Sequence, residues 1–215
     1  MCKFLGFVTT YKDGELKVYA ADLVHHTACE QVHGLKPNSY DSWEWTAEGD
    51  KHLQLKEGAS DTAQTEVVRQ EILRLWPTRE SLIVYFLRQK IVDGVWQGDF
   101  WLPSDIGAAA ARYIAANTTK IEGSVDLRGY AHALPLLAHI GWSADLRGYA
   151  HALPLLAHIG MDADLQGYAH ALPLLAHIGW SAYLWGYAHA LPECCVVQGR
   201  IYKQPGRPGD YRRRP

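Results

Sequence analysis

No run of apolar residues in this 215-residue chain approaches the ~18 that a bilayer-spanning helix needs. The opening MCKFLGFVTTYKDG has too short an apolar stretch for a secretory signal, so the Asn117-Thr118-Thr119 sequon is not expected to carry glycan. Cysteine is scarce and unpatterned. Cys2, Cys29, Cys194 and Cys195 form no CxxC pair, and two are adjacent, which excludes a disulfide framework and points to reduced thiols in a cytoplasmic protein. Excess charge of either sign is also missing: 21 Lys and Arg face 23 Asp and Glu. Phosphate-binding glycine loops, HExxH, dinucleotide-binding turns and a G-x-S-x-G elbow are absent. Motifs therefore point to no catalytic residue, no metal and no cofactor.

What is present is repetition. DLRGYAHALPLLAHIG begins at Asp126 and again at Asp145; at Asp164 it recurs with Gln166 in place of arginine, and a broken copy, YLWGYAHALPECC, begins at Tyr183. A fixed period of 19 residues implies stacked units. Alternation in SADLRG sends Ala144 and Leu146 one way and Ser143, Asp145 and Arg147 the other, giving a short strand with one buried face. Val125 and Leu127, Ala163 and Leu165, and Ala182 and Leu184 keep that register. Gly148 permits a turn. LPLLAHIG, with Pro154 first and Gly160 last, predicts a helical turn. One unit cannot bury Leu153, Leu156 and Ile159 alone, but copies stacked at ~4.8 Å can.

The predicted fold is an α+β N-terminal domain followed by a short solenoid of 19-residue strand-turn-helical-turn coils. Residues 1–119 form the α+β domain that caps the stack, 120–197 the four coils with a C-terminal cap, and 198–215 a basic flexible tail. From Gln198 onward six basic residues stand against Asp210 alone, so the body of the chain is acidic. Within residues 1–119, Asp13-Gly14 marks a hairpin in FVTTYKDGELKVYA, and SWEWTAEGDKHLQLK reads as a second. DLVHHTACEQVHG reads as a helix ending at Gly34. DTAQTEVVRQEILRLW predicts an amphipathic helix with Val67, Val68, Ile72, Leu75 and Trp76 on or near one face. Pro77 ends it, Thr78 caps TRESLIVYFLRQK, and DIGAAAARYIAAN predicts a last helix over the first coil.

The spacing L-x-x-I-G-x-x-A-x-L-x-x-Y-x-x-x-L-P over residues 121–193 resembles leucine-rich repeats, and ADLRG and ADLQG are similar to single pentapeptide repeats. The period is shorter than in most leucine-rich repeats, and Tyr149 stands where that family often has asparagine. The leucine-rich resemblance implies a strand face that binds proteins. MCKFLG is similar to the start of N-terminal-nucleophile glutamine amidotransferases, which implies Cys2 as nucleophile and its own amine as base.

Outward positions on successive strands are Asp126, Arg128, Asp145, Arg147, Asp164 and Gln166, and then Tyr183 and Trp185. Tyr, Trp and Arg dominate the energetic centres of protein interfaces, so these eight residues form the expected partner-binding surface. His26, Cys29 and His33 share one face of their predicted helix and have the residue types of a zinc site. Two rows of histidines, His132, His151, His170, His189 and His139, His158, His177, are accounted for by duplication. Three functions follow: a non-enzymatic protein-binding module, of the kind a phage or mobile element uses to inhibit a host defence system; an enzyme acting through Cys2 or a zinc site; or a nucleic-acid binder or mimic, acting through the basic tail or the acidic coils.

Overall fold

A computed structural model describes residues 5–19, 33–36, 39–45, 53–57, 62–102, 106–187 and 189–203. The chain divides into two compact units, Met1–Phe86 and Leu87–Pro215.

In the first unit β1 (Leu5–Lys12), β2 (Glu15–Tyr19), β3 (Asp41–Trp45) and β4 (Leu53–Glu57) form an antiparallel sheet in the order β2-β1-β3-β4. Both expected hairpins are present. Asp13 and Gly14 turn the first with φ of 55° and 79°, and a two-residue type I′ turn needs positive φ at both positions. Phe7, Trp43 and Trp45 are buried, and Trp43 Nε1 donates to Thr9 Oγ1 at 2.7 Å. Helix α1 spans Thr62–Leu75 and buries Val68 and Ile72, one turn apart. Val67 is 50% exposed and Leu75 is exposed too, so the apolar stripe is narrower than the sequence suggests. Pro77 separates α1 from α2 (Arg79–Lys90). Thr78 Oγ1 accepts the Ser81 N–H and Ser81 Oγ accepts the Thr78 N–H, at 3.1 and 3.2 Å, a reciprocal cap of the capping-box kind. The predicted helix before Gly34 lies mostly outside the described residues.

The second unit is a β-solenoid of about four coils. Each coil gives two residues to each of two parallel sheets. The histidine sheet takes β7 (Lys120–Ile121), β9 (His139–Ile140), β11 (His158–Ile159), β13 (His177–Ile178) and β15 (Val196–Val197). The aspartate sheet takes β8 (Val125–Asp126), β10 (Ala144–Asp145), β12 (Ala163–Asp164), β14 (Ala182–Tyr183) and β16 (Ile201–Tyr202). Pairing is in register, so like residues stack: His158 on His139 and His177, Asp145 on Asp126 and Asp164. Ile140, Ala144, Leu146, Tyr149, Leu153 and Leu156 of one coil all point into the core. Residues Gln198 to Lys203, expected in the tail, include β16 and so belong to the stack; 204–215 lie outside the described residues.

The predicted helical turn is not formed. Leu134 carbonyl accepts the Leu137 N–H at 3.2 Å, closing a β-turn with Pro135 second; the pattern recurs at Leu153–Leu156 and Leu172–Leu175. Proline's fixed φ suits that turn position as well as it suits the first turn of a helix. His139 and Ile140 then run extended, which adds a second strand per coil. Gly160 ends no helix. It sits at the corner between the sheets, where a side chain would collide with the Gly141 carbonyl of the coil before; Gly141 and Gly179 are held the same way.

The first full coil is covered by a partial one. β5 (Ile91–Val92) and β6 (Val95–Trp96) form a hairpin on Asp93-Gly94 that the sequence reading passed over, and β6 pairs in parallel with β7. Phe100 bridges Val125 on the aspartate sheet, with its ring 4.8 Å from Trp96 and edge-on to Tyr130. Between Phe100 and β7, the helix predicted over residues 105–117 forms as α3 (Ala108–Asn117), with Gly107 at its N-cap, and buries Ala110, Ala111 and Ile114.

Candidate functional site

Of the eight expected residues, Asp126, Asp145, Asp164 and Tyr183 lie on strands of the aspartate sheet, and Arg128, Arg147, Gln166 and Trp185 lie in the turn after each strand. Alternation explains their direction: Val125, Leu127, Ala144, Leu146, Ala163 and Leu165 go inward, so the residues between them face out. In-register stacking then sets Asp126, Asp145 and Asp164 in a row at strand spacing. Like charges opposed in this way destabilise a sheet.

Two arginines offset them. Arg128 grips Asp126 through Nε and Nη2 at 3.0 and 2.6 Å, and its Nε lies 3.1 Å from Asp145 of the next coil. Arg147 repeats the arrangement on Asp145 at 2.9 and 2.6 Å and reaches Asp164 at 3.3 Å. Each guanidinium thus clamps its own strand and bridges to the next. The hydrogen bonds from Arg128 hold the Asp126 carboxyl below its usual range, and Asp145 raises the Arg147 guanidinium in turn. At coil three Gln166 replaces the arginine, and its Nε2 stands 3.5 Å from Asp164 Oδ2. Burial, with Asp145 adding to it, pushes the Asp164 carboxyl up.

Beyond Asp164 the row continues as aromatics. Tyr183 is stacked on Tyr202 at 4.8 Å and 5°. Trp185, in the arginine position, is 53% exposed. Along the corner on the other side run Trp142, Met161 and Trp180, with both tryptophans 60% exposed. A shallow groove of about 510 Å³ lies on this sheet, and its lining includes Asp99, Trp101, Asp126, Asp145, Asp162, Asp164 and Tyr183. Asp162 and Asp99 were not singled out from sequence. Asp162 had a signal, since it takes the outward place of Ser143. Asp99 precedes the repeat and had none.

The other candidates are dispersed or undescribed. Cys2, His26 and Cys29 lie outside the described residues, and His33 packs on Tyr19 with ring centroids 5.2 Å apart. Among the described residues no group of three or more His, Cys, Asp or Glu is placed to hold a metal. The histidine rows differ from each other. His139, His158 and His177 stack at 4.3 and 4.6 Å, whereas His151, His170 and His189 turn edge-on to tyrosines and hydrogen-bond the alanine carbonyls of the preceding coil. No described helix is long and apolar enough to cross a membrane. Comparison with protein-family models, with curated proteins and with solved structures gives no match for this chain.

Proposed function

We propose that this protein is a non-enzymatic binding module and that the outer face of its aspartate sheet docks another protein. One observation carries the reading: Trp142, Trp180 and Trp185 stand exposed on the same coils whose aspartate sheet lines a groove with carboxylates. Large indole surfaces left in water on an ordered scaffold are what interface centres are made of. The likeness of the repeat to leucine-rich repeats, which bind proteins mostly through their strand faces, supports the same reading. The β-turn at LPLL, in place of a helical turn, alters the back of each coil and leaves that face unaffected.

The test follows from exposure. Tyr183 is stacked into the last coil, so its removal would confound binding with folding. Trp180→Ala with Trp185→Ala removes mostly exposed area. The double variant is expected to melt like the wild type and to lose the partner that the full chain captures from its source cell. Undiminished capture by a normally folded variant would overturn the proposal.

A further inference from the structure

Over residues 126–182 the three copies of the repeat differ at three positions only: Trp142 against Met161, Ser143 against Asp162, and Arg128 and Arg147 against Gln166. All three changes fall on the aspartate strand, its corner or the turn that follows it, and all lie within residues 161–166, where coil three opens. The last two remove a guanidinium and add a carboxylate, so this coil is more acidic than the two before it by two charges. The core, the histidine sheet and the LPLL turn are left untouched.

The first two coils show what such a place holds. Asp126 and Asp145 each take an arginine fork in a bidentate grip, and each fork also lies against the aspartate of the following coil. At Asp164, among the described residues, the chain supplies the Gln166 backbone N–H at 3.1 Å, the Gln166 side-chain amide at the limit of hydrogen bonding and an Nε that Arg147 already shares with Asp145, but no guanidinium fork of its own. Asp162 stands two residues away on the same outer face, with one carboxylate oxygen accepting the Ser181 N–H at 3.0 Å. Tyr183, paired with Asp164 across the strands, and Tyr202 behind it present stacked rings. Two carboxylates beside an aromatic wall suit a planar, delocalised cation better than a compact ammonium, because a guanidinium can chelate and stack at once.

We propose that the partner inserts an arginine side chain at coil three, between Asp162 and Asp164 and against Tyr183, and so completes a ladder that the chain's own arginines begin. This rests on the reading of the aspartate sheet as a protein-docking face and names the chemistry it recognises. The ionic part of such a contact is weakened by salt.

The probe is the blocked peptide acetyl-Gly-Arg-Gly-amide, with lysine and citrulline counterparts, titrated against the full chain by the indole N–H signals of its tryptophans. The arginine peptide is expected to bind roughly tenfold more tightly than the neutral citrulline one, the ratio that loss of one charge-assisted fork produces. Gln166→Arg fills the place from within, and Asp162→Ser restores the residue of coils one and two. Both variants keep the repeat's own chemistry and are expected to fold, which their melting temperatures check. Each should weaken the arginine peptide to about the citrulline level. Equal binding of the arginine and citrulline peptides, or full binding in Gln166→Arg, overturns the proposal. If the arginine peptide binds only after Arg207, Arg212, Arg213 and Arg214 are changed to Gln, the place belongs to the chain's own C-terminal segment and the partner's claim on it falls. Capture lost in Trp180→Ala/Trp185→Ala but retained in Gln166→Arg keeps the docking face and overturns the arginine place alone.

Discussion

Tyr149 and Tyr168 donate their hydroxyls to the His132 and His151 carbonyls of the coil before, both at 2.9 Å. Tyr130 holds the same position in the first coil, where no copy of the repeat precedes it. Its hydroxyl is buried with no partner among the described residues. A buried hydroxyl that has lost water and gained nothing is a cost, while a satisfied one is a net gain of about 1 kcal/mol. Tyr130→Phe is therefore expected to leave stability unchanged or raise it, and Tyr168→Phe to lower it by about 1 kcal/mol, as read by urea unfolding. Equal effects would contradict the ladder. The histidine row makes a second residue-scale prediction. Burial foremost, then the next histidine and Lys120, hold the His139 and His158 imidazoles below their ordinary value of 6.5. A base whose pKa falls on folding binds fewer protons folded than unfolded. Stability is then lost as pH drops through about 6.5 and on toward the lowered folded values. The melting temperature should be lower at pH 5.5 than at pH 7.5, and the difference should shrink in His158→Gln. A flat profile in the wild type would contradict the stacked geometry.

Among the elements, the hairpin at Asp13-Gly14, the Thr78 cap and the inward set Ala144, Leu146, Leu153 and Leu156 were legible in the sequence. Each is dictated by local chemistry or by a period that survives in one dimension. The hairpin at Asp93-Gly94 carried the same signal between Ile91-Val92 and Val95-Trp96, but in strands only two residues long. LPLLAHIG forms a β-turn where a helical turn is expected, because proline-first and glycine-last fits both alike. What separates them is the reason for the glycine, and that reason lies in the neighbouring coil. Gly160→Ala would drive a methyl into the Gly141 carbonyl and is expected to cost at least about 3 kcal/mol, the upper end for overpacking. Gly148 has open space around it and a φ of 68°, so Gly148→Ala should cost only about 1–2 kcal/mol, the strain of a left-handed residue. Thermal melts of the two variants rank them, and the reverse order would contradict the corner geometry.

At the scale of the whole molecule, a stack of near-identical coils turns every outward residue into a row. That one fact produces both the liability of three aspartates at strand spacing and its remedy in Arg128 and Arg147. Sequence alternation placed these residues on the outer face. It did not give the bridging from one coil to the next, or the joining of Asp99 and Asp162 to the groove, because both depend on register between segments far apart in the chain. It also could not tell that Tyr183 stacks on Tyr202 while Trp185 stays in solvent, since both read as outward positions on one strand. The proposed binding centres on the aspartate sheet, where coils three and four depart from the repeat. Hydrogen exchange of the full chain, free and with its captured partner, tests this most directly. Protection should concentrate in peptides covering 161–166 and 180–185. Protection that spares those peptides and falls on the histidine sheet, around residues 139, 158 and 177, would contradict the account.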